Sequence, residues 1–259
     1  MSTGTHDPLS TPARPELTGG RSIGVLVCHG FTGSPASMRP WAEYLAERGY
    51  AVEMPLLPGH GTTWQEMNKT GWADWYAEAS RAFDRLAAGN EAVVLAGLSM
   101  GGALMLRLAA DHPDRISGVV VVNPAVSTER KDVLALPILK HVVGAFPGIS
   151  NDIKKPGVTE HAYPKTPLRA ADSMMTAWKG LRADLHKVTA PLLYFKSATD
   201  HVVDPSSQRI IVGSVGSTDV KVRMLEDSYH VATLDNDAEA IFAESAEFIG
   251  RVCGGPATQ

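Results

Sequence analysis

Short apolar, β-branched runs alternate with longer stretches of helical periodicity along most of this chain, and no other feature constrains its fold as much. The runs fall at 22–28, 51–54, 92–96, 118–122, 192–196 and 220–225, several of them almost continuously apolar. Strands of that kind are covered on both faces, as in a parallel sheet whose crossovers are helices. The stretches at 38–47, 72–88, 101–111, 205–212 and 238–251 read as those helices, several stopping at a glycine or proline such as Gly49, Gly89, Pro113 or Gly213. The expected fold is α/β, a mostly parallel sheet flanked by helices. A chain of 259 residues, 44% apolar with a formal charge of −4, suits one globular α/β domain and excludes intrinsic disorder.

Two segments depart from the alternation. Residues 1–20 are rich in Ser, Thr, Pro and Gly without apolar periodicity, and are expected to form a flexible N-terminal tail. Residues 125–188 separate two strand candidates by far more than an ordinary connection. They carry amphipathic stretches at 133–146 and 167–181 around GISNDIKKPGVTE. This piece is expected to be an inserted cap, with 21–124 and 189–253 forming the core. The site should then lie beneath it, at the C-terminal ends of the strands, where open α/β sheets bind ligands.

Several function classes are excluded. The N-terminal residues lack the basic, apolar and small-residue pattern of a secretory signal, so a cytoplasmic location is expected. The longest apolar runs are too short for a membrane span. Cys28 reads as a buried strand residue and Cys253 as tail; two distant cysteines make neither a disulfide framework nor a zinc site. No Lys/Arg cluster exceeds a pair, so no nucleic-acid footprint is present. No phosphate-binding or dinucleotide-binding glycine motif occurs and no His/Cys/Asp group has metal spacing, so the chemistry is expected to need neither cofactor nor metal.

The strongest local signal is Gly97-Leu98-Ser99-Met100-Gly101, a G-x-S-x-G directly after a strand candidate and directly before a helix candidate. A serine on so tight a strand-to-helix turn needs glycines beside it where helix and strand approach. The helix N-terminus favours negative charge near its oxygen. Ser99 is the candidate nucleophile.

A serine hydroxyl is a weak nucleophile at neutral pH and needs an imidazole base, which in turn needs a carboxylate to hold its tautomer. In strand–turn–helix enzymes of this kind the chain order is Ser, acid, His. Asp200 follows the strand candidate at 192–196 and is the expected acid. Asp204 competes, although before Pro205 it also reads as a helix N-cap. His230 follows the last strand candidate and is the expected base. His201, beside Asp200 in sequence, is expected to point away from it. The oxyanion donors are expected to be the backbone N–H groups of Met100, after the nucleophile, and Phe31, in the His29–Gly33 stretch after the first strand. His29 is expected to brace that loop.

HGFTG (29–33), LPGHGT (57–62), GLSMGG (97–102), DHVVDP (200–205) and SYHVATLD (228–235) together resemble the serine α/β-hydrolases, and within them the bacterial monoacylglycerol lipases and related carboxylesterases. NDIKKPGVTEHAYPKTP (151–167) is similar to the cap of those lipases. The resemblance covers nearly the whole chain after residue 20 and implies an α/β-hydrolase fold. It also implies cleavage of the ester bond of a monoacylglycerol, a small lipid, through an acyl-enzyme. A glycerol headgroup needs a placed acceptor among apolar walls; Glu160, in the cap-like stretch, is the candidate acceptor and Ile149 the candidate wall. The apolar side chains of 133–146 suit an acyl tunnel, a transient contact with a membrane surface, or plain helix packing. General carboxylesterases and thioesterases for short-to-medium acyl chains share this triad, and non-catalytic ligand-binding or scaffold proteins share the fold. A serine at 99 excludes the aspartate-nucleophile dehalogenases and epoxide hydrolases.

Overall fold

In the computed structural model, which describes residues 6–254, the central apolar runs become strands that bury both of their faces. The elements are β1 (Leu9–Thr11), β2 (Ile23–Cys28), α1 (Arg39–Glu47), β3 (Ala51–Met54), α2 (Trp64–Met67), α3 (Trp72–Gly89), β4 (Ala92–Leu98), α4 (Met100–Asp111) and β5 (Gly118–Val122). They continue with α5 (Leu136–Leu139), β6 (Ala145–Pro147), β7 (Lys165–Pro167), α6 (Leu168–Asp184), β8 (Leu192–Ser197), α7 (Ser206–Ser214), β9 (Val220–Leu225) and α8 (Ala238–Cys253). The main sheet runs β1-β3-β2-β4-β5-β8-β9, parallel throughout except for β1.

Neighbouring strand residues enter opposite cores. Leu26, Leu95, Val121 and Tyr194 pack with Trp75 of α3, Leu104 of α4 and Leu181 of α6. Val25, Val94, Val120 and Phe195 pack on the other face with Trp41 of α1 and Ile241 and Ile249 of α8. Two covered faces explain why the central strands read as continuous apolar runs rather than alternating ones. The edge strand β9 differs. Lys221 and Arg223 are exposed and ion-paired with Glu244, and charged side chains of this kind discourage pairing with another sheet.

Three expectations are corrected. Residues 1–5 lie outside the described residues, but the rest of the presumed tail is built in. β1 pairs antiparallel with β3, Leu9 opposite Met54, and the Arg14 guanidinium donates to the carbonyls of Ala46 and Glu47 at the end of α1. Local composition could not reveal this, because the order comes from a partner strand more than forty residues away in sequence. Cys253 is likewise no tail residue: it is the last residue of α8, buried, with its thiol pushed up to about 11 by burial. Third, 133–146 forms no continuous amphipathic helix. Lys131–Ala135 is a 3-10 turn, α5 is four residues long with Pro137 in its first turn, and Ala145–Pro147 is a strand paired with Lys165–Pro167. Pro137 in the first turn of α5 and Gly144 after it divide the stretch despite its periodicity.

The stretch between β5 and β8 otherwise rests on α6, whose Ala170, Met174, Trp178 and Leu181 join the α3/α4 core. Leu136 packs on Leu168 and Ala171 of α6. Leu134, Ile138 and Val142 remain 79%, 75% and 78% exposed, so they neither line a tunnel nor pack as helix core.

Candidate active site

The turn after β4 is dictated by two glycines. A Cβ on Gly97 would stand 2.6 Å from the carbonyl carbon and oxygen of Gly101, and one on Gly101 would collide with the backbone of Cys28 and His29. Helix α4 can start immediately after the strand only because neither residue has a side chain. Between them Ser99 takes φ 55°, ψ −118°, which a non-glycine residue adopts only under constraint. The constraint is visible: the Ser99 N–H donates to Val122 O at 2.9 Å, and its carbonyl accepts from Ala103 N and Ala125 N. Met100 is the first residue of α4, where backbone N–H groups have no intrahelical partner.

The other candidate residues come to the same edge of the sheet. Phe31 follows β2, Asp200 follows β8 and His230 follows β9, all at the C-terminal ends of parallel strands. Ser99, Phe31 and His230 line one cavity of about 170 Å³. Its far wall is apolar, formed by Ala171, Met174, Met175 and Trp178 of α6 together with Val133 and Val203. Glu160 and Ile149 line it as well, with Ile149 half exposed.

Asp200 sits behind His230 with its carboxylate buried. The imidazole Nδ1 lies 3.1 Å from Oδ1 and 3.2 Å from Oδ2. Oδ1 also accepts the N–H groups of Val202 and Val203, while Oδ2 accepts from the Lys196 ammonium at 2.8 Å. Burial alone would raise this carboxyl; the adjacent His230 and Lys196 outweigh it and hold the group well below the usual carboxylate range. Asp204 is otherwise employed. Its Oδ1 accepts the Ser206 N–H at the start of α7 and its Oδ2 the Glu129 N–H, tying the loop after β5 to that helix.

His201 does point away from Asp200. Its Nδ1 is 2.7 Å from Oδ1 of Asp152, whose Oδ2 accepts the backbone N–H groups of both His201 and His230. The backbone carbonyl of Asp152 accepts from Val231 N, and the N–H groups of Lys154 and Lys155 donate to Asp235. Residues 152–155 are thereby fastened to the loop carrying His230. Asn123, fully buried at the end of β5, fastens the same loop from below: its Nδ2 donates to His230 O and Ser197 Oγ, and its Oδ1 accepts from Ser197 N.

Sequence reasoning missed Asp152, Asn123 and Lys196. An Asn following an apolar strand run was a faint signal for a residue of positive φ, which Asn123 has at 45°. Nothing local marked the other two, because their partners lie on other segments.

The loop after β2 is braced by His29. Its Nδ1–H donates to Gly30 O at 3.0 Å and its Nε2 accepts the Leu57 N–H at 3.2 Å, which together require the neutral ring. Burial, with a smaller contribution from His6, lowers its pKa to about 4 against the opposing Gly30 bond. The Phe31 ring meets Trp75 edge to face at 5.9 Å between centroids. Glu160 is partly buried near this loop, and its Oε1 accepts the Asn151 N–H at 2.9 Å. Burial raises its carboxyl, with Asp152 adding to the rise and Asn151 and His230 opposing it.

A parallel sheet with a strained serine at the strand–helix turn, and a His–Asp pair at the neighbouring strand ends, defines the α/β-hydrolase class. Within that class the chain belongs to the Hydrolase_4 family, described as serine aminopeptidase, S33, whose model matches residues 22–237. It is 39% identical to a thermostable monoacylglycerol lipase of Bacillus sp. (strain H-257), over 95% of this chain and 98% of that one. A carboxylesterase of Bacillus subtilis (strain 168) is 28% identical over 88% of this chain and 92% of its own. Among solved structures, one described with LipS and LipT, two metagenome-derived lipolytic enzymes, superposes with a TM-score of 0.90 at 41% identity, covering 97% of this chain and all of that one.

Proposed function

We propose that the protein is a carboxylic ester hydrolase that cleaves monoacylglycerols to glycerol and fatty acid through an acyl-enzyme. The observation that carries this reading is the likeness, along essentially the whole of both chains, to a protein named a monoacylglycerol lipase. The site supports it. Ser99 attacks the ester carbonyl, His230 takes the hydroxyl proton and returns it to the leaving glycerol, and Asp200 orients and electrostatically supports the imidazolium. The N–H groups of Phe31 and Met100 stabilise the tetrahedral oxyanion, by about 3 kcal/mol per donor in comparable sites. Water then repeats the sequence on the acyl-enzyme.

In this reading 125–188 is a cap. Its α6 supplies the apolar wall against which an acyl chain lies, and Glu160 offers its free carboxylate oxygen to a glycerol hydroxyl, with Ile149 beside it. Leu134, Ile138 and Val142, exposed on that cap, provide a surface for transient contact with lipid. A broader carboxylesterase is the second reading, favoured by the full-length likeness to a carboxylesterase of Bacillus subtilis (strain 168).

The deciding experiment is hydrolysis of monoacylglycerol, diacylglycerol, triacylglycerol, p-nitrophenyl esters and an aminoacyl amide, with Ser99→Ala as the blank. Preference for monoacylglycerol is expected. Turnover of p-nitrophenyl esters alone removes the glyceride assignment, and turnover of the amide in preference to every ester overturns ester hydrolysis itself.

A further inference from the structure

The Asp200 carboxylate has two claimants. On one side is the imidazole of His230, nearly equidistant from both oxygens; on the other is the ammonium of Lys196, 2.8 Å from Oδ2 and donating also to Val203 O at 3.1 Å. Both members of the ion pair are out of water: the Lys196 side chain is 7% exposed and that of Asp200 is 2% exposed. A carboxylate already holding two backbone N–H groups and an imidazole needs no cation to satisfy its oxygens. The lysine's contribution is therefore charge, acting at short range where solvent does not screen it.

We propose that Lys196 is a positioning residue for this reaction: by sharing the Asp200 carboxylate with His230 it sets how strongly that carboxylate supports the imidazole, and so the pH range over which the enzyme works. The inference rests on the reading of Ser99, Asp200 and His230 as a triad. The groups facing His230 make the sense of the effect clear. Asp200 faces it from the loop after β8, and Asp152 and Glu160 from the segment between β6 and β7; the ring of His201 is turned onto Asp152. On its own loop, Tyr229 N and the N–H groups of Lys154 and Lys155 are taken by Asp235, while Asp227 is ion-paired with Lys154. Of these carboxylates only Asp200 contacts the ring itself, so its field is the strongest on the imidazole. Lys196 offsets part of that field at the carboxylate with the most direct contact. A cation there weakens the pull of the carboxylate on the imidazolium, and its removal strengthens that pull.

The test is the pH profile of kcat/KM on a soluble p-nitrophenyl ester for the wild type, Lys196→Met and Lys196→Gln, with Tm measured for each. Removing the cation is expected to move the acid limb up by about one pH unit in both variants, with KM on the plateau changed less than about twofold. Gln keeps a donor without the charge, so it separates the two roles. A limb that stays in place in a folded, active variant overturns the proposal. So does a shift seen in Met and restored by Gln, which assigns Lys196 to hydrogen-bond geometry alone. If Lys196→Met does not fold, Lys196→Gln carries the same reading. Ser99→Ala and His230→Ala, assayed for turnover and for labelling by a fluorophosphonate, keep the two levels apart. Activity and labelling surviving in His230→Ala bring down the triad, whereas their loss there with an unmoved limb in the Lys196 variants brings down this inference alone.

Discussion

Asp152 accepts the backbone N–H of His230 at 3.1 Å, across 78 positions of sequence. The same carboxylate receives both the N–H and the ring of His201, so one side chain from the segment between β6 and β7 fastens the loop of the candidate acid to that of the candidate base. Asp152→Ala leaves the buried His230 N–H unpaired, while the half-exposed His201 can turn to water. A loss of about 2–3 kcal/mol in stability is expected, from a bond to a charged acceptor and the desolvation of what remains. A fall in kcat of at least tenfold is expected with it. Denaturant unfolding and steady-state kinetics check the two; full activity at reduced stability would show that the clamp holds the fold but not the base.

Gly97→Ala should be among the most damaging substitutions in the chain. The added methyl carbon would meet the Gly101 carbonyl 2.6 Å away, and that atom is backbone at the start of α4, unable to turn aside. Destabilisation of about 3 kcal/mol or more is expected, with loss of fluorophosphonate labelling at Ser99. Thermal unfolding compared with Gly180→Ala, whose Cβ would meet nothing within 4 Å, provides the control.

Stability should fall on mild acidification because of His29 and His60. Burial lowers both below the ordinary imidazole value, His29 to about 4, so the folded state keeps them neutral while the unfolded chain takes up protons. Their neutral-state contribution is complete above pH ~6.5, the unfolded value, and declines as pH drops from there toward 4. For His29 the full decline is on the order of 3 kcal/mol. Asp200, whose folded carboxyl is depressed, keeps its contribution above pH ~4 and loses it only below that. Urea unfolding at pH 7.5 and 4.5 spans the histidine window, and the raised Glu160 carboxyl, which acts in the opposite sense there, is common to wild type and variant. His29→Gln should show a smaller difference between the two pH values than the wild type.

Glu160→Gln should lower kcat/KM on monoacylglycerol by about tenfold, the worth of one hydrogen bond to a charged acceptor, and leave simple alkyl esters within about twofold. Equal losses on both substrates would remove the carboxylate from headgroup recognition and leave it as the partner of Asn151 N in its own loop.

Much of the architecture was legible because it is local. The runs at 51–54, 118–122 and 220–225 are strands with those same limits, and the helices at 72–88 and 101–111 are right to within a residue at each end. A strand buried on both faces, such as 118–122, is apolar at every position, one with an exposed edge, such as 220–225, alternates with charge, and a helix start or stop is written in its glycines, prolines and caps. Ser99 was legible for the same reason: the two glycines around it have no other use in so tight a turn. The failures were of the opposite kind. Leu9–Thr11 lies in a polar, proline-rich segment and becomes a strand only against β3, while 133–146 has helical periodicity that Pro137 and Gly144 interrupt.

The central strands and their helices, the strained serine turn, and the strand ends that carry an acid and a histidine could be read from the chain because each depends on residues a few positions apart. What surrounds them is set by the folded arrangement. It seats His201 on Asp152 rather than Asp200, holds the His230 loop with Asn123 and Asp152, and buries the Lys196 ammonium on the acid. Those contacts join segments dozens of residues apart, and a hydrogen bond or ion pair acts over about 3 Å. Which groups come that close is set by the crossing of strands and loops in space, for which neighbours in the chain carry no signal.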